Sequence, residues 1–63
     1  MNIQPIKMYY VTSKDETTIL YEETIRNKII EKIITIKGKF KEKPTIYNVT
    51  KYIETFITQS IRN

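Results

Sequence analysis

The chain has 63 residues, contains neither Cys nor His, and carries a formal net charge of +4 at pH 7. Disulfides are therefore excluded, and no zinc site is expected because zinc in proteins favours Cys and His ligands. A chain of this length forms one domain, residues 1–63, and buries only about 60% of its unfolded surface. Because domains this small often need a partner chain for stability, we expect a homodimer.

Residues 6–21 are predicted to form an N-terminal β-hairpin, or a single ribbon strand. The runs 7–12 and 17–21 are rich in aromatic and β-branched residues, which suit a pleated surface, and the polar residues 13–16 suit a turn. A helix that starts at Ser13 is the alternative, because Glu16 follows three residues later in a capping-box pattern.

Residues 22–37 are predicted to form a first helix. Isoleucines recur at spacings of four, four and three, at Ile25, Ile29, Ile33 and Ile36. Two further isoleucines, Ile30 and Ile34, widen the apolar arc of this helix. Gly38 follows where a helix C-terminal cap would lie. The alternative is a strand over 34–41, where apolar and basic residues alternate.

Residues 45–61 are predicted to form a second helix, which Thr45 can cap and which a basic loop, 38–44, connects to the first. The expected fold class is therefore α+β, a β-hairpin followed by an antiparallel two-helix hairpin. A mostly helical bundle with an extended N-terminal arm is the alternative fold.

The apolar arc of the first predicted helix is wider than one neighbouring helix requires. Something else must then cover it: the N-terminal hairpin, a second copy or a target protein. Tyrosines and exposed apolar side chains serve well as interface anchors. The residues expected at a protein interface are Tyr9, Tyr10, Val11, Ile30 and Ile34.

Residue types that carry enzyme chemistry are almost absent. The chain has no His or Cys, and its one glycine, Gly38, cannot form a glycine-rich phosphate loop. Glu22 and Glu23 are adjacent, so on a helix their side chains would diverge rather than converge on a substrate. We therefore expect a protein that is not an enzyme, with no catalytic residue, metal, cofactor or small-molecule substrate.

Positive charge is concentrated in one part of the chain. Residues 26–43 carry seven basic and two acidic side chains, and within them lysines alternate at Lys37, Lys39, Lys41 and Lys43. Closely spaced lysines can neutralise nucleic-acid phosphates and release counterions. The expected nucleic-acid-binding residues are these four, assisted by Arg26, Lys28 and Lys7. The alternative is a solvated loop that keeps the protein soluble.

No apolar run reaches the ~18 residues that a membrane span needs, and residues 1–5 lack the basic and apolar regions of a signal peptide. The sequence therefore predicts a cytoplasmic protein that does not enter a membrane.

A short strand followed by two helices, over about residues 7–61, resembles the topology of ribbon-helix-helix repressors. The resemblance implies a dimer whose strand, 7–12, enters the major groove of DNA. Residues 15–38 are much longer than the first helix of that family, and we do not assign the chain to it.

The sequence as a whole predicts a small DNA- or RNA-binding regulatory protein, such as a transcription regulator, that contacts phosphates through its lysine-rich segment. The first alternative is a protein-binding module, for example a phage- or virus-encoded inhibitor of a host protein. The composition, rich in Ile, Lys, Thr, Tyr and Asn, is typical of short AT-rich viral reading frames. The second alternative is a structural assembly subunit.

Overall fold

The computed structural model describes the backbone of residues 2–62 and the side chains of residues 2–59. In this part of the chain, strands β1 (Asn2–Val11), β2 (Glu16–Ile25) and β3 (Lys28–Lys37) form an antiparallel sheet in the order β1-β2-β3. A short 3-10 turn, Thr12–Lys14, joins β1 to β2, and one helix, α1, spans Ile46–Arg62.

The predicted two-helix hairpin is wrong, and so is the alternative of a mostly helical bundle. Residues 22–37, predicted as the first helix, contain the end of β2, a tight turn and the whole of β3. β1 and β2 pair from Asn2↔Thr24 to Val11↔Glu16, so this hairpin extends beyond residues 6–21. The fold is a three-stranded sheet with one C-terminal helix.

The isoleucine-rich stretch forms a strand because its apolar residues lie on both faces of the sheet. Ile34 pairs with the buried Ile19 on the face beneath the helix, whereas Ile29 and Ile33 lie on the opposite face. Side chains of a strand alternate between its two faces. Isoleucines present on both faces can therefore be three or four residues apart in sequence, which is also the spacing of a helical stripe. β-Branched side chains pack well in a sheet but lose rotamer freedom in a helix, so pairing with β2 decides the outcome.

A two-residue turn at Arg26 and Asn27 joins β2 to β3. Both residues have positive φ, 50° and 65°, as a type I′ hairpin turn requires. Glycine or asparagine usually occupies such positions, and only Asn27 gives that signal in the sequence. The turn is therefore hard to recognise among the surrounding isoleucines, which is a second reason for the wrong helix prediction.

The core lies between α1 and one face of the sheet, which we call the helix face. Along β2, alternate side chains are buried on this face: Thr17, Ile19, Tyr21 and Glu23. The buried apolar cluster consists of Ile3, Ile19, Tyr21, Ile34, Val49 and Ile53. No element in the described residues packs on the other side of the sheet, the open face, where Tyr9 and Ile33 are exposed.

The helix backbone lies closest to β1, at one edge of the sheet. β1 contains Pro5, and its register with β2 shifts between Pro5 and Lys7. A proline and a bulge both suit an edge strand, because they interrupt the row of backbone hydrogen-bonding groups. β3 forms the opposite edge of the sheet.

No helix in the described part of the chain combines the length and apolar character needed to cross a membrane.

We predict that Ile53→Val lowers the free energy of unfolding by about 1 kcal/mol, because it removes a methylene from a fully buried site. Ile46→Val, in the same helix but at a side chain that is 70% exposed, is the matched control and should change stability by less than about 0.5 kcal/mol. Urea denaturation measures both, and equal losses would contradict the packing described here.

We also predict that Arg26→Asn stabilises the protein by about 0.5–1 kcal/mol. Asparagine tolerates the left-handed conformation that arginine adopts there at a cost. Arg26→Gln removes the same charge, but glutamine does not share asparagine's tolerance of the left-handed conformation. This control variant should therefore show no gain in stability. A thermal melt distinguishes the two variants.

Candidate nucleic-acid interface

Residues 37–43, which we call the basic segment, lead from the end of β3 towards α1. Its four lysines, Lys37, Lys39, Lys41 and Lys43, are all exposed. Within residues 2–59, the ion pair that the structure forms joins Lys32 to Glu23, so no carboxylate there pairs with a lysine of the basic segment. The four ammonium groups therefore remain accessible to an external anion.

Gly38 fixes the start of the basic segment to the sheet. Its φ of +81° is a left-handed conformation that glycine adopts without strain. Its amide donates a hydrogen bond to the Asp15 carbonyl oxygen at 2.7 Å, and its carbonyl oxygen accepts one from Thr17 Oγ1 at 2.7 Å. Because Thr17 is buried in β2, the first lysines leave the sheet from a defined position.

Tyr10 supports Lys39. The Lys39 ammonium lies 5.3 Å from the centroid of the Tyr10 ring, within the range of a cation–π interaction. The Tyr10 hydroxyl donates a hydrogen bond to Asp15 Oδ1 at 2.6 Å, and this bond raises the pKa of Tyr10. Asp15 thus holds the ring through its side chain and Gly38 through its backbone.

The far end of the basic segment is fixed to the start of α1. The Lys43 carbonyl oxygen accepts hydrogen bonds from the Thr45 amide at 2.8 Å and from Asn48 Nδ2 at 2.9 Å. Thr45 caps the helix, since its Oγ1 accepts a hydrogen bond from the Asn48 amide at 3.1 Å. The lysines therefore lie between two fixed points.

A groove of about 510 Å³ runs beside the basic segment. Phe40 and Tyr52 pack edge to face in it, with ring centroids 5.7 Å apart and an interplanar angle of 81°. The residues that line it are Ile36, Lys37, Lys39, Phe40, Lys41, Glu42 and Tyr52. One groove is therefore lined by three lysines and a glutamate together with two aromatic rings and an isoleucine.

Sequence reasoning did not identify Tyr52 as a member of this site. Tyr52 is brought to Phe40 by the packing of α1 on the sheet, and the local sequence carries no sign of that contact.

Other predicted nucleic-acid-binding residues lie elsewhere. Arg26 and Lys28 are at the opposite end of β3 from Lys37, about 30 Å away along the strand. Lys7 is exposed in β1, with its ammonium 5.6 Å from the centroid of the Tyr9 ring. Within a single copy these three residues do not join the basic segment.

The predicted protein-interface residues are also distributed over the molecule. Tyr9 is 47% exposed on the open face, and Val11 is half-buried nearby. Tyr10 supports Lys39 as described above. Ile30 is 41% exposed, but Ile34 is buried in the core and is therefore covered by the chain itself.

Lys32 and Glu23 form an ion pair between β3 and β2. Lys32 Nζ lies 3.0 Å from Glu23 Oε1, and this contact raises the pKa of Lys32. No other described residue donates a hydrogen bond to that buried oxygen. Beside the pair, burial raises the pKa of Tyr21.

The described residues contain no group of three or more acidic side chains placed to hold a metal ion. Searches of protein-family models, of curated proteins and of solved structures each find no match to this chain.

We predict that Thr17→Val destabilises the protein by about 1–2 kcal/mol, because it leaves the part-buried Gly38 carbonyl oxygen without its hydrogen bond. Thr18→Val makes the same chemical change at the next residue of β2, on the open face, and should cost less than about 0.5 kcal/mol. Chemical denaturation of the two variants checks this, and equal effects would show that the bond does not hold the basic segment.

Proposed function

We propose that this protein is a non-enzymatic nucleic-acid-binding protein that contacts phosphates through Lys37, Lys39, Lys41 and Lys43. The observation that carries the proposal is that four exposed lysines, none paired with a carboxylate of residues 2–59, lie on a segment fixed at both ends. Fixed cations lose less conformational entropy on binding than lysines on a mobile loop.

Electrostatics favour a polyanionic partner. Seven of the residues in 26–43 are basic and two are acidic, and the basic segment itself contains four lysines against Glu42. Each lysine that contacts a phosphate releases condensed counterions, so several contacts on one segment combine into a strongly salt-dependent affinity. A compact monoanion would engage only part of this segment.

The aromatic side of the groove favours a strand with unpaired bases. Bases stack on aromatic side chains largely without regard to sequence, while a neighbouring positive groove follows the backbone. Phe40 and Tyr52 lie beside Lys39 and Lys41 in one groove, which provides both kinds of contact. We therefore propose single-stranded DNA or RNA as the preferred form.

The test is a titration with a single-stranded oligonucleotide and its duplex over a series of salt concentrations. We expect affinity to fall steeply with salt, and the quadruple variant K37Q/K39Q/K41Q/K43Q to lose both the affinity and most of the salt dependence. Binding that is indifferent to salt, or a quadruple variant that binds like the parent, would refute the proposal.

A matched pair of single variants locates the interface. Lys41→Gln should reduce the slope of log affinity against log salt by about 0.7–0.9, the value for one phosphate contact. Lys7→Gln removes the same charge from an exposed position outside the groove and should leave the slope unchanged. Equal effects of the two variants would mean that net charge, rather than the groove, drives binding.

A further inference from the structure

The outer edge of β3 is long and regular. The strand has ten residues and no proline, and its pairing with β2 runs without a shift from Ile25↔Lys28 to Glu16↔Lys37. No element of the described chain pairs with its other side. Such an edge presents a row of unpaired backbone N–H and C=O groups to any strand that can align with it.

Exposed isoleucines flank this edge on both faces of the sheet. Ile29 and Ile33 are 68% and 66% exposed on the open face, and Ile30 is 41% exposed on the helix face. A lysine in the middle of an edge strand normally discourages pairing. Here the ammonium group of the mid-strand Lys32 is paired with Glu23 of β2. It therefore does little to prevent another strand from pairing with the β3 edge.

We propose that the β3 edge pairs with the β3 edge of a second copy of this chain, antiparallel, with Ile33 opposite its own counterpart on the symmetry axis. The two sheets then form one six-stranded sheet with both helices on the same side. The pairing places Ile30 opposite the second copy's Ile36 and packs the exposed Ile33 side chain against its own counterpart.

Like charges exclude three of the possible registers. In a continuous antiparallel sheet the twofold axis is perpendicular to the sheet, so one residue lies opposite itself. An axis at Glu31 or at Lys32 places that residue opposite its own copy, so two identical charges face each other. An axis at Ile30 places Lys28 of one copy opposite Lys32 of the other. Like charges directly opposite each other destabilise strand pairing in all three registers.

Axes at Ile33 and Ile34 avoid like charges directly opposite each other. An axis at Ile34 gains two Glu31–Lys37 pairs, but it pairs only residues 31–37 and leaves Ile29 and Ile30 outside the ladder. An axis at Ile33 pairs residues 29–37, nearly the whole strand, and places the 66% exposed Ile33 at the centre.

The pairing also changes the basic site. With Ile33 on the axis, Lys28 lies opposite the second copy's Gly38, so Arg26 and Lys28 of one copy lie beside the basic segment of the other. The dimer thus brings close together basic residues that lie about 30 Å apart, at opposite ends of β3, within one chain. This consequence rests on the proposed function, whereas the pairing itself does not.

The test uses the absence of cysteine from the parent chain, so that each variant carries a single thiol. Directly opposed residues of an antiparallel pair have Cα atoms about 4.5–5.5 Å apart, within the range of about 4.4–6.8 Å that a disulfide spans. Under mild oxidation without nucleic acid, Ile33→Cys should cross-link to a covalent dimer. Ile29→Cys is equally exposed on the same face and strand, but its two copies would be about 27 Å apart and should cross-link little.

Light scattering on the parent chain should give twice the mass of 7.6 kDa. Ile33→Lys places two ammonium groups opposite each other and should give a monomer with an unchanged circular dichroism spectrum, because the side chain is exposed within one copy. Thr58→Lys adds the same charge on the exposed helix surface and should remain a dimer.

A monomeric parent, a larger assembly, a dimeric Ile33→Lys variant, or equal cross-linking of the two cysteine variants would each overturn the pairing. These measurements need no nucleic acid, so their failure is separate from a failure of the salt titration. A dimer that does not bind nucleic acid would leave the pairing intact and reject the proposed function.

Discussion

The burial of one face of β2 beneath α1 is the interaction on which the rest of this structure depends. Ile19 and Ile53 are both fully buried there, with Tyr21 and Thr17 in the same row of β2. Each fully buried aliphatic side chain contributes about 1.5–3 kcal/mol. A domain of this length has a net stability of only about 3–9 kcal/mol, so a few such side chains decide whether the fold exists.

That single helix also determines what remains exposed. A helix with its side chains is about 10–12 Å wide, and neighbouring strands are about 4.8 Å apart, so one helix covers roughly two strands. Because α1 lies closest to β1, the strand at the far edge keeps isoleucines exposed on both of its faces. The open face and the β3 edge thus follow from having one covering helix for three strands.

The lysines fall into two groups with different surroundings. Lys32 is paired with the buried Glu23 and contributes to joining β3 to β2. The lysines of the basic segment have no such partner among residues 2–59, and hydrogen bonds at Gly38 and Lys43 hold the segment between sheet and helix. One lysine is therefore part of the folded structure, and the four lysines of the basic segment are exposed to solvent.

Several properties of this protein follow from the sequence by itself, because they depend only on which residues are present or adjacent. The lack of Cys, His and a glycine-rich loop, and the concentration of lysines at 37–43, are of this kind. So is the capping of the last helix by Thr45, which acts on an amide only three residues away.

Only the tertiary structure decided between helix and strand for residues 22–37, and which residues meet at the basic segment. Isoleucines on both faces of a strand repeat at the spacings of a helical stripe, so periodicity cannot separate the two without the partner strand. The contacts of Gly38 with Thr17 and of Phe40 with Tyr52 join residues distant in sequence. Such contacts form because β2 and α1 bury a shared core, which no local pattern of residues encodes.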